Sequence, residues 1–190
     1  TSAGKQASLI QMTVNPQYSI DVSSLGGIEA NSISMVGNNI GFGVRNKGSI
    51  VANSTLQLSS NGNLLNKGTI KSNGLLNNIS TATGITNEGT LSGAYYLMLS
   101  TQGYIVNTGT MSGGQLIAAA NSNINNGDSG TMSGTNGISL TSGTQIRNEA
   151  KASMLSNNLI SATAMGDFLN EGKISAKNTT LNFIGDSFKN

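Results

Sequence analysis

The sequence predicts an all-β solenoid, a parallel β-helix in which each coil of about 20 residues holds three short strands. Two observations carry this prediction: a motif of the form Asn-x-Gly-Thr-Ile that recurs along the chain, and the alternation of apolar and polar residues around it. The motif asparagines are 20, 21, 20, 19, 22, 22 and 20 residues apart in a chain of 190 residues. They are Asn46, Asn66, Asn87, Asn107, Asn126, Asn148, Asn170 and Asn190. Such a period is typical of coils that must stack, because one coil cannot bury its apolar face alone.

The first strand of each coil is expected to end at the motif asparagine. The residue two positions before it is apolar in every copy: Val44, Leu64, Ile85, Ile105, Ile124, Ile146, Phe168 and Phe188. The residue between the two varies freely, as Arg45 and Thr86 illustrate. Residues two apart in a strand share a face. The apolar residue and the asparagine should therefore both point inward.

Two further strands complete the predicted coil. The second begins at the apolar residue that closes the motif, which is Ile50, Ile70, Leu91, Met111, Met132, Met154 or Ile174. The third is expected around the apolar residue six or seven positions later, which is Leu56, Leu76, Leu97, Ile117, Ile138, Ile160 or Leu181. Segments rich in Gly, Ser, Asn and Thr separate the strands, as turns require. The motif methionines are interpreted as core residues, because a flexible thioether fills gaps between unequal layers.

The inward asparagines predict a structural ladder of hydrogen bonds. A buried amide without a partner costs about 1–3 kcal/mol, whereas stacked amides can each donate to one neighbouring coil and accept from the other. The ladder would hold Asn46, Asn66, Asn87, Asn107, Asn126, Asn148 and Asn170.

The glycines two residues after the asparagines are predicted to adopt positive φ at a bend. These turn glycines are Gly48, Gly68, Gly89, Gly109 and Gly172. Two coils have Asp128 or Ala150 in that place, followed by two extra residues. The insertions predict local bulges at 127–131 and 149–153.

The chain divides into two parts without a sharp boundary. Residues 1–45 are expected to be irregular entry coils continuous with the solenoid, with alternation first visible at Ile10, Met12 and Val14. Residues 46–190 are expected to be regular β-helix repeats. The chain shows no signal-peptide pattern at Thr1, which predicts an internal or mature segment.

The composition excludes several kinds of function. Charged residues make up 9% of the chain and the net charge is +2, without a basic and aromatic patch for nucleic acid. The chain has no cysteine, which excludes disulfides and thiolate metal sites, and no histidine, which excludes a Ser-His-Asp triad. We expect no cofactor and no metal, and a monomeric rod within a longer chain.

Paired carboxylates are the remaining candidate for catalysis. Glu149 and Glu171 occupy equivalent positions in adjacent coils, about 5 Å apart by strand spacing, which would suit a retaining polysaccharide-processing enzyme. Lys151 and Lys173 follow two residues later. A charge-balanced surface column explains all four residues better, and we expect no enzymatic activity.

Three tyrosines are the only aromatic concentration on the coils. Tyr95, Tyr96 and Tyr104 could form a surface on which a sugar stacks, or they could be ordinary surface residues of strands, where tyrosine is common. The second interpretation is preferred.

One stretch resembles a known family. Tyr18, Ile20, Asp21, Ser23, Leu25, Gly26 and Gly27 are followed by Gly43-Val44-Arg45-Asn46-Lys47-Gly48. This arrangement is similar to filamentous haemagglutinins and the related contact-dependent inhibition stick proteins, in the haemagglutinin-repeat region just after the secretion domain. The resemblance implies a right-handed parallel β-helix within a longer exoprotein, exported by two-partner secretion through an outer-membrane transporter.

The expected function is therefore structural. The chain would be a shaft segment of a large bacterial adhesin or toxin-delivery exoprotein, secreted or held at the cell surface, and it would mediate adhesion or contact-dependent delivery. The first alternative is a module that binds a host or neighbouring-cell glycan or receptor on a lateral face of the β-helix. The second is a β-helix enzyme that processes polysaccharides.

Overall fold

The structure, a computed structural model, describes residues 18–41, 43–185 and 187–190. All regular structure in this part of the chain is β-strand, and parallel strands stack into a solenoid of about 8 turns with coils of roughly 21 residues. The predicted fold class is confirmed. The alternation at Ile10, Met12 and Val14 lies outside the described residues.

The first strands of the coils form one parallel sheet. Each is short, and from β3 onward each ends at or beside the motif asparagine, as the sequence predicts. In chain order, and in order across the sheet, they are β1 (Tyr18–Val22), β3 (Gly43–Asn46), β5 (Asn63–Asn66), β8 (Gly84–Asn87), β10 (Tyr104–Asn107), β12 (Ile124–Asn126), β14 (Ile146–Asn148), β17 (Phe168–Asn170) and β20 (Phe188–Lys189).

The second and third strands form the other sheet. In five coils they run together as one long strand: β2 (Gly27–Gly37), β4 (Ser49–Ser60), β9 (Thr90–Thr101), β11 (Thr110–Ala120) and β13 (Thr131–Ser142). In three coils a break separates them: β6 (Thr69–Ser72) from β7 (Leu76–Thr81), β15 (Ser153–Ser156) from β16 (Leu159–Ala164), and β18 (Lys173–Ser175) from β19 (Asn178–Phe183). Register shifts in the long strands, such as that between Gly113 and Gln115, mark the same corner.

The core is a set of apolar columns that run along the solenoid. Equivalent residues of successive coils are direct partners, so that Val44 lies opposite Leu64 and Ile85 opposite Ile105. The predicted first-strand column is fully buried from Val44 to Phe168. The second-strand column, from Ile50 through Met154, is equally inaccessible to solvent. The prediction that the motif methionines are core residues is therefore confirmed for Met111, Met132 and Met154.

The predicted third-strand column is wrong in three coils. Leu56, Leu97, Ile138 and Ile160 are buried as expected, but Asn77 and Leu116 point inward in place of Leu76 and Ile117. The corner before the third strand is one residue longer or shorter in these two coils, and a shift of one residue reverses the inward and outward positions. In the last coil Leu181 lies opposite Ala162 rather than Ile160.

Candidate functional site

The most regular polar feature is the asparagine ladder at the end of the first strands. Every ladder side chain from Asn46 to Asn148 is fully buried, and Asn170 is nearly so. Each Nδ2 donates to the Oδ1 of the asparagine in the next coil, from Asn46 to Asn66 and onward to Asn190, over 2.6–2.9 Å. The bonds all run in the same direction along the rod.

The same amides also hold the turn backbone. Asn66 Nδ2, for example, donates to the Gly68 carbonyl at 3.1 Å and to the Thr90 carbonyl in the next coil at 3.0 Å. The residue after each asparagine adds a backbone bond between coils, as when the Glu88 N–H donates to the Asn66 carbonyl at 2.8 Å. Each ladder asparagine thus joins its own bend to the next coil, and this role is structural.

The turn glycines do not have the predicted positive φ. Among the described residues, only Gly41 has one. Glycine is needed for close approach instead, because a Cβ at Gly68, Gly89 or Gly109 would lie 2.1 Å from the carbonyl oxygen of the preceding coil's glycine. At Gly48 and Gly172 the nearest carbonyl oxygens are 2.0 and 2.2 Å away. The glycines let successive bends stack backbone on backbone.

The two insertions form closed turns. The Gly130 N–H donates to the Gly127 carbonyl at 2.7 Å, and the Ala152 N–H donates to the Glu149 carbonyl at 2.9 Å. Both turns lie within the predicted segments 127–131 and 149–153. Gly130 takes over the role of the missing motif glycine, since its carbonyl accepts from Asn126 Nδ2 at 3.2 Å.

The first coil lacks the ladder asparagine. Val22 lies opposite Asn46, and a turn closed by the Gly26 N–H and the Ser23 carbonyl replaces the motif. The Oδ1 of Asn46 instead accepts from the N–H of Gly48 at 3.2 Å. The ladder therefore starts at Asn46 with a partner in its own bend.

A second set of buried polar residues lies at another corner of the coil and is not predicted from the sequence. At the end of the third strands, Ser60, Thr81, Thr101 and Ser142 are buried and bond to the turn that follows. The Gly103 N–H donates to Thr101 Oγ1 at 3.1 Å, and Ser142 Oγ donates to the Gln145 carbonyl at 3.0 Å. Their recurrence shortly before a glycine, at the same period as the asparagines, is the signal that could have found them.

Ion pairs link neighbouring coils on the first sheet. Arg147 bonds Glu171 at 3.1 Å, Lys189 lies 3.7 Å from the same carboxylate, and Glu149 accepts from Asn125 Nδ2 at 2.9 Å. A charge-balanced column exists, but its cations are Arg147 and Lys189 rather than the predicted Lys151 and Lys173. Arg147 and Lys189 are the strand partners of Leu169 in the coils on either side, and Glu171 lies two residues after Leu169.

Two ion pairs, Arg147 with Glu171 and Arg45 with Asp21, shift the pKa values of their carboxyl groups. The hydrogen bond and charge of Arg147 lower the pKa of Glu171. The hydrogen bond from Arg45, which also lies 4.6 Å over the Tyr18 ring, lowers the pKa of Asp21. Glu171, one of the two candidate catalytic carboxylates, is thus held ionised by its partner, as is Asp21. A retaining glycosidase instead needs one carboxyl group with a raised pKa as its acid.

The three tyrosines occupy two separate places. Tyr95 and Tyr96 lie in β9 at the corner of the second sheet, with 63% and 42% of their area exposed. Tyr104 begins β10 in the first sheet, and its ring covers Gly84, where a Cβ would lie 2.8 Å from Tyr104 Cζ. Only the pair in β9 remains available as one aromatic surface.

The part of the chain that the structure describes holds neither a cluster of metal ligands nor a membrane-spanning helix. No three His, Cys, Asp or Glu residues there are grouped so as to hold a metal ion. Nor do these residues include a helix long and apolar enough to cross a membrane.

Comparisons with known proteins identify no relative. No family model, no curated protein and no solved structure matches the chain.

Proposed function

We propose that this chain is a shaft segment of a large secreted bacterial adhesin or toxin-delivery exoprotein, in which it holds a distal binding or toxin region away from the cell. The observation that carries the proposal is the asparagine ladder, which repeats one set of bonds from coil to coil between Asn46 and Asn190. A structure made of identical contacts between neighbours suits a spacer, because its length scales with the number of coils.

The sequence block from Tyr18 to Gly48 supports the exoprotein part of the proposal, through its resemblance to filamentous haemagglutinins and contact-dependent inhibition stick proteins. Export would pass through the outer-membrane transporter of a two-partner secretion system. Each coil that stacks outside the cell buries apolar area, and this free energy favours outward movement of the chain without ATP.

Stiffness is the property that a shaft requires, and two spin labels can measure it. Asp21 and Lys189 lie in the same outward column of the first sheet, eight strand steps apart. Labels at Asp21→Cys and Lys189→Cys should give one narrow distance near 38 Å, from a spacing of about 4.8 Å per step. The chain has no native cysteine to compete for label. A broad distance distribution would contradict a stiff rod.

Export can be tested separately. The 190-residue chain, placed behind a two-partner secretion domain in a bacterium with the matching transporter, should appear folded in the culture medium. The same fusion in cells without the transporter is the control. Retention of the chain in cells that have the transporter would exclude this route while leaving the rod itself intact.

A further inference from the structure

One lateral face of the solenoid differs from the others in charge. The third-strand segments 32–37, 55–60, 76–81, 96–101, 115–120, 137–142, 159–164 and 178–183 contain no charged residue. We call their outward positions the third-strand face. The ion pairs of the first sheet, such as Lys67 with Glu88 at 2.9 Å, lie elsewhere on the coil.

Hydroxyl and amide groups dominate this face. Its outward columns align directly, so that Ser34, Gln57 and Asn78 follow one another in successive coils. A groove of about 240 Å³ lies over these residues and the neighbouring column of Val36, Ser59 and Ser80. The groove offers both donors and acceptors without a formal charge.

An apolar shelf adjoins the groove. Met98 is the strand partner of Asn78, and Tyr96 is the partner of Leu76. Met98 is 37% exposed and Tyr96 is 42% exposed, on a face whose other positions are mainly polar. The aromatic ring can make apolar contact with a ligand, while the uncharged groups beside it can form hydrogen bonds with the same ligand.

A second groove continues the surface at the next corner. It has a volume of about 350 Å³ and is lined by residues that include Ser59, Ser80, Ser100, Gln102 and Asn121. It shares Ser59 and Ser80 with the first groove. Together the two grooves form one uncharged, hydroxyl-rich concave surface that crosses several coils.

We infer that the third-strand face binds a neutral oligosaccharide. Sugar rings present C–H faces that stack on aromatic side chains, and hydroxyl groups that pair with Ser, Asn and Gln. The lack of charge on this face disfavours sulfated or acidic glycans, which basic groups would recognise. Tyr96 would provide the stacking surface, and Gln57 and Asn78 the directional hydrogen bonds. This inference is independent of the shaft proposal.

Calorimetric titration of the 190-residue chain with maltohexaose, cellohexaose and chitohexaose tests the inference, with a sulfated heparin hexasaccharide as the charged comparison. At least one neutral hexasaccharide should bind, with an affinity that is the same at low and high salt. Tyr96→Ser and Asn78→Ala should each weaken that binding about tenfold, the effect of one good contact. Tyr104→Ser, which removes an exposed tyrosine from the first sheet, should leave it unchanged.

Three results would overturn the inference. The first is no binding of any of the three neutral hexasaccharides, with circular dichroism showing a folded chain. The second is binding of the heparin hexasaccharide alone. The third is a dimer in sedimentation equilibrium that Tyr96→Ser dissociates, which would assign the shelf to a second copy of the chain. Thermal melts of every variant separate lost binding from lost folding.

Discussion

Asn107 shows what a single ladder position does. It is fully buried, accepts from Asn87 Nδ2 and donates to Asn126 Oδ1, both at 2.8 Å, and it also donates to the Thr131 carbonyl. Its removal would leave the buried Oδ1 of Asn126 without its donor and would take one of three acceptors from Asn87 Nδ2. An interior position therefore supports two coil junctions at once.

Asn107→Ala should destabilise the protein more than Thr108→Ala. Unpaired buried polar groups should cost the first variant about 1–3 kcal/mol, whereas the second removes an exposed side chain and should stay within about 0.5 kcal/mol of wild type. Urea denaturation followed by circular dichroism measures the difference. Equal unfolding free energies for the two variants would contradict a stabilising ladder.

Gly89→Ala should be among the most damaging small substitutions. The new Cβ would lie 2.1 Å from the Gly68 carbonyl oxygen, and the two bends would have to separate, at a cost of about 1–3 kcal/mol or more. Gly27→Ala is the matched control, since its Cβ would lie 3.5 Å from the Ser49 carbonyl oxygen, an ordinary contact. A melting temperature of Gly89→Ala equal to that of the control would be inconsistent with backbone stacking.

Glu171 makes the stability depend on pH in a defined direction. Its pKa is lowered from 4.5 by Arg147, so the unfolded chain takes up a proton at higher pH than the folded chain. The stabilising effect is present above the unfolded-state pKa and is lost as the pH falls through the lowered value. The melting temperature of Glu171→Gln should lie below wild type at pH 7 and converge with it in acid. A difference that persists in strong acid would argue against the ion pair as its source.

At this scale, the sequence predicts the asparagines better than the glycines. A fixed distance from an apolar inward residue is enough to place Asn107 inside. A glycine at a bend can serve positive φ or close approach, and both demands select the same residue. Only the distance between Gly68 and Gly89 in adjacent coils distinguishes them, and that distance belongs to the stacked structure.

Among the elements, the bends tolerate more variation than the strands. The motif bend occurs in a short form, as at Asn107-Thr108-Gly109, and in a closed four-residue form at 127–130. Both forms deliver the chain to equivalent positions, since Thr110 pairs with Thr131 and Met111 with Met132. Bend length is thus uncoupled from strand register.

Deletion of Asp128 and Ser129 should therefore be well tolerated. It restores the short form, Asn-Gly-Gly-Thr, with Gly130 in the close-packed place. Deletion of Ser139 alone is the contrasting change, because it reverses the inward and outward positions in the rest of β13. Circular dichroism and urea denaturation should show a native-like fold for the first variant and a severe loss of stability for the second. The opposite order would refute the independence of bend and register.

The third strands show the limit of periodicity. The distance from the second-strand residue to the inward third-strand residue is seven in one coil, from Ile70 to Asn77, and five in another, from Met111 to Leu116. Hydrophobicity favours Leu76 over Asn77 as the buried residue. The register with Leu56 and Leu97 overrides this preference and leaves the Asn77 Oδ1 buried without a partner. Neighbouring coils decide the choice.

For the whole molecule, the regular junctions make a coil a removable unit. Deletion of 127–148 joins Asn126 directly to Glu149 and keeps the ladder in register. The deletion also makes two coils neighbours that differ in the distance from the inward second-strand residue to the inward third-strand residue. This distance is five from Met111 to Leu116 and six from Met154 to Ile160, a combination that β11 and β13 already show. Stability should follow the number of junctions.

The chain without 127–148 should fold to a shorter rod. Its urea m-value should fall by roughly one-eighth, because a protein of about 8 turns loses one coil of buried surface. Deletion of 88–107 is the mismatched comparison, because it makes neighbours of the coil with a distance of seven, Ile70 to Asn77, and the coil with a distance of five, Met111 to Leu116. This variant should lose more stability. Global unfolding of the first variant would show that the coils do not contribute additively.

The asparagine motif also has a consequence for inheritance. Each copy of the motif ends one coil and begins the next, so the coding sequences of two copies can recombine at equivalent positions. Unequal recombination between the copies at Asn126 and Asn148 keeps the reading frame and adds or removes one complete coil. A gene of this kind can change the length of the encoded solenoid in a single genetic event, without passing through misfolded intermediates.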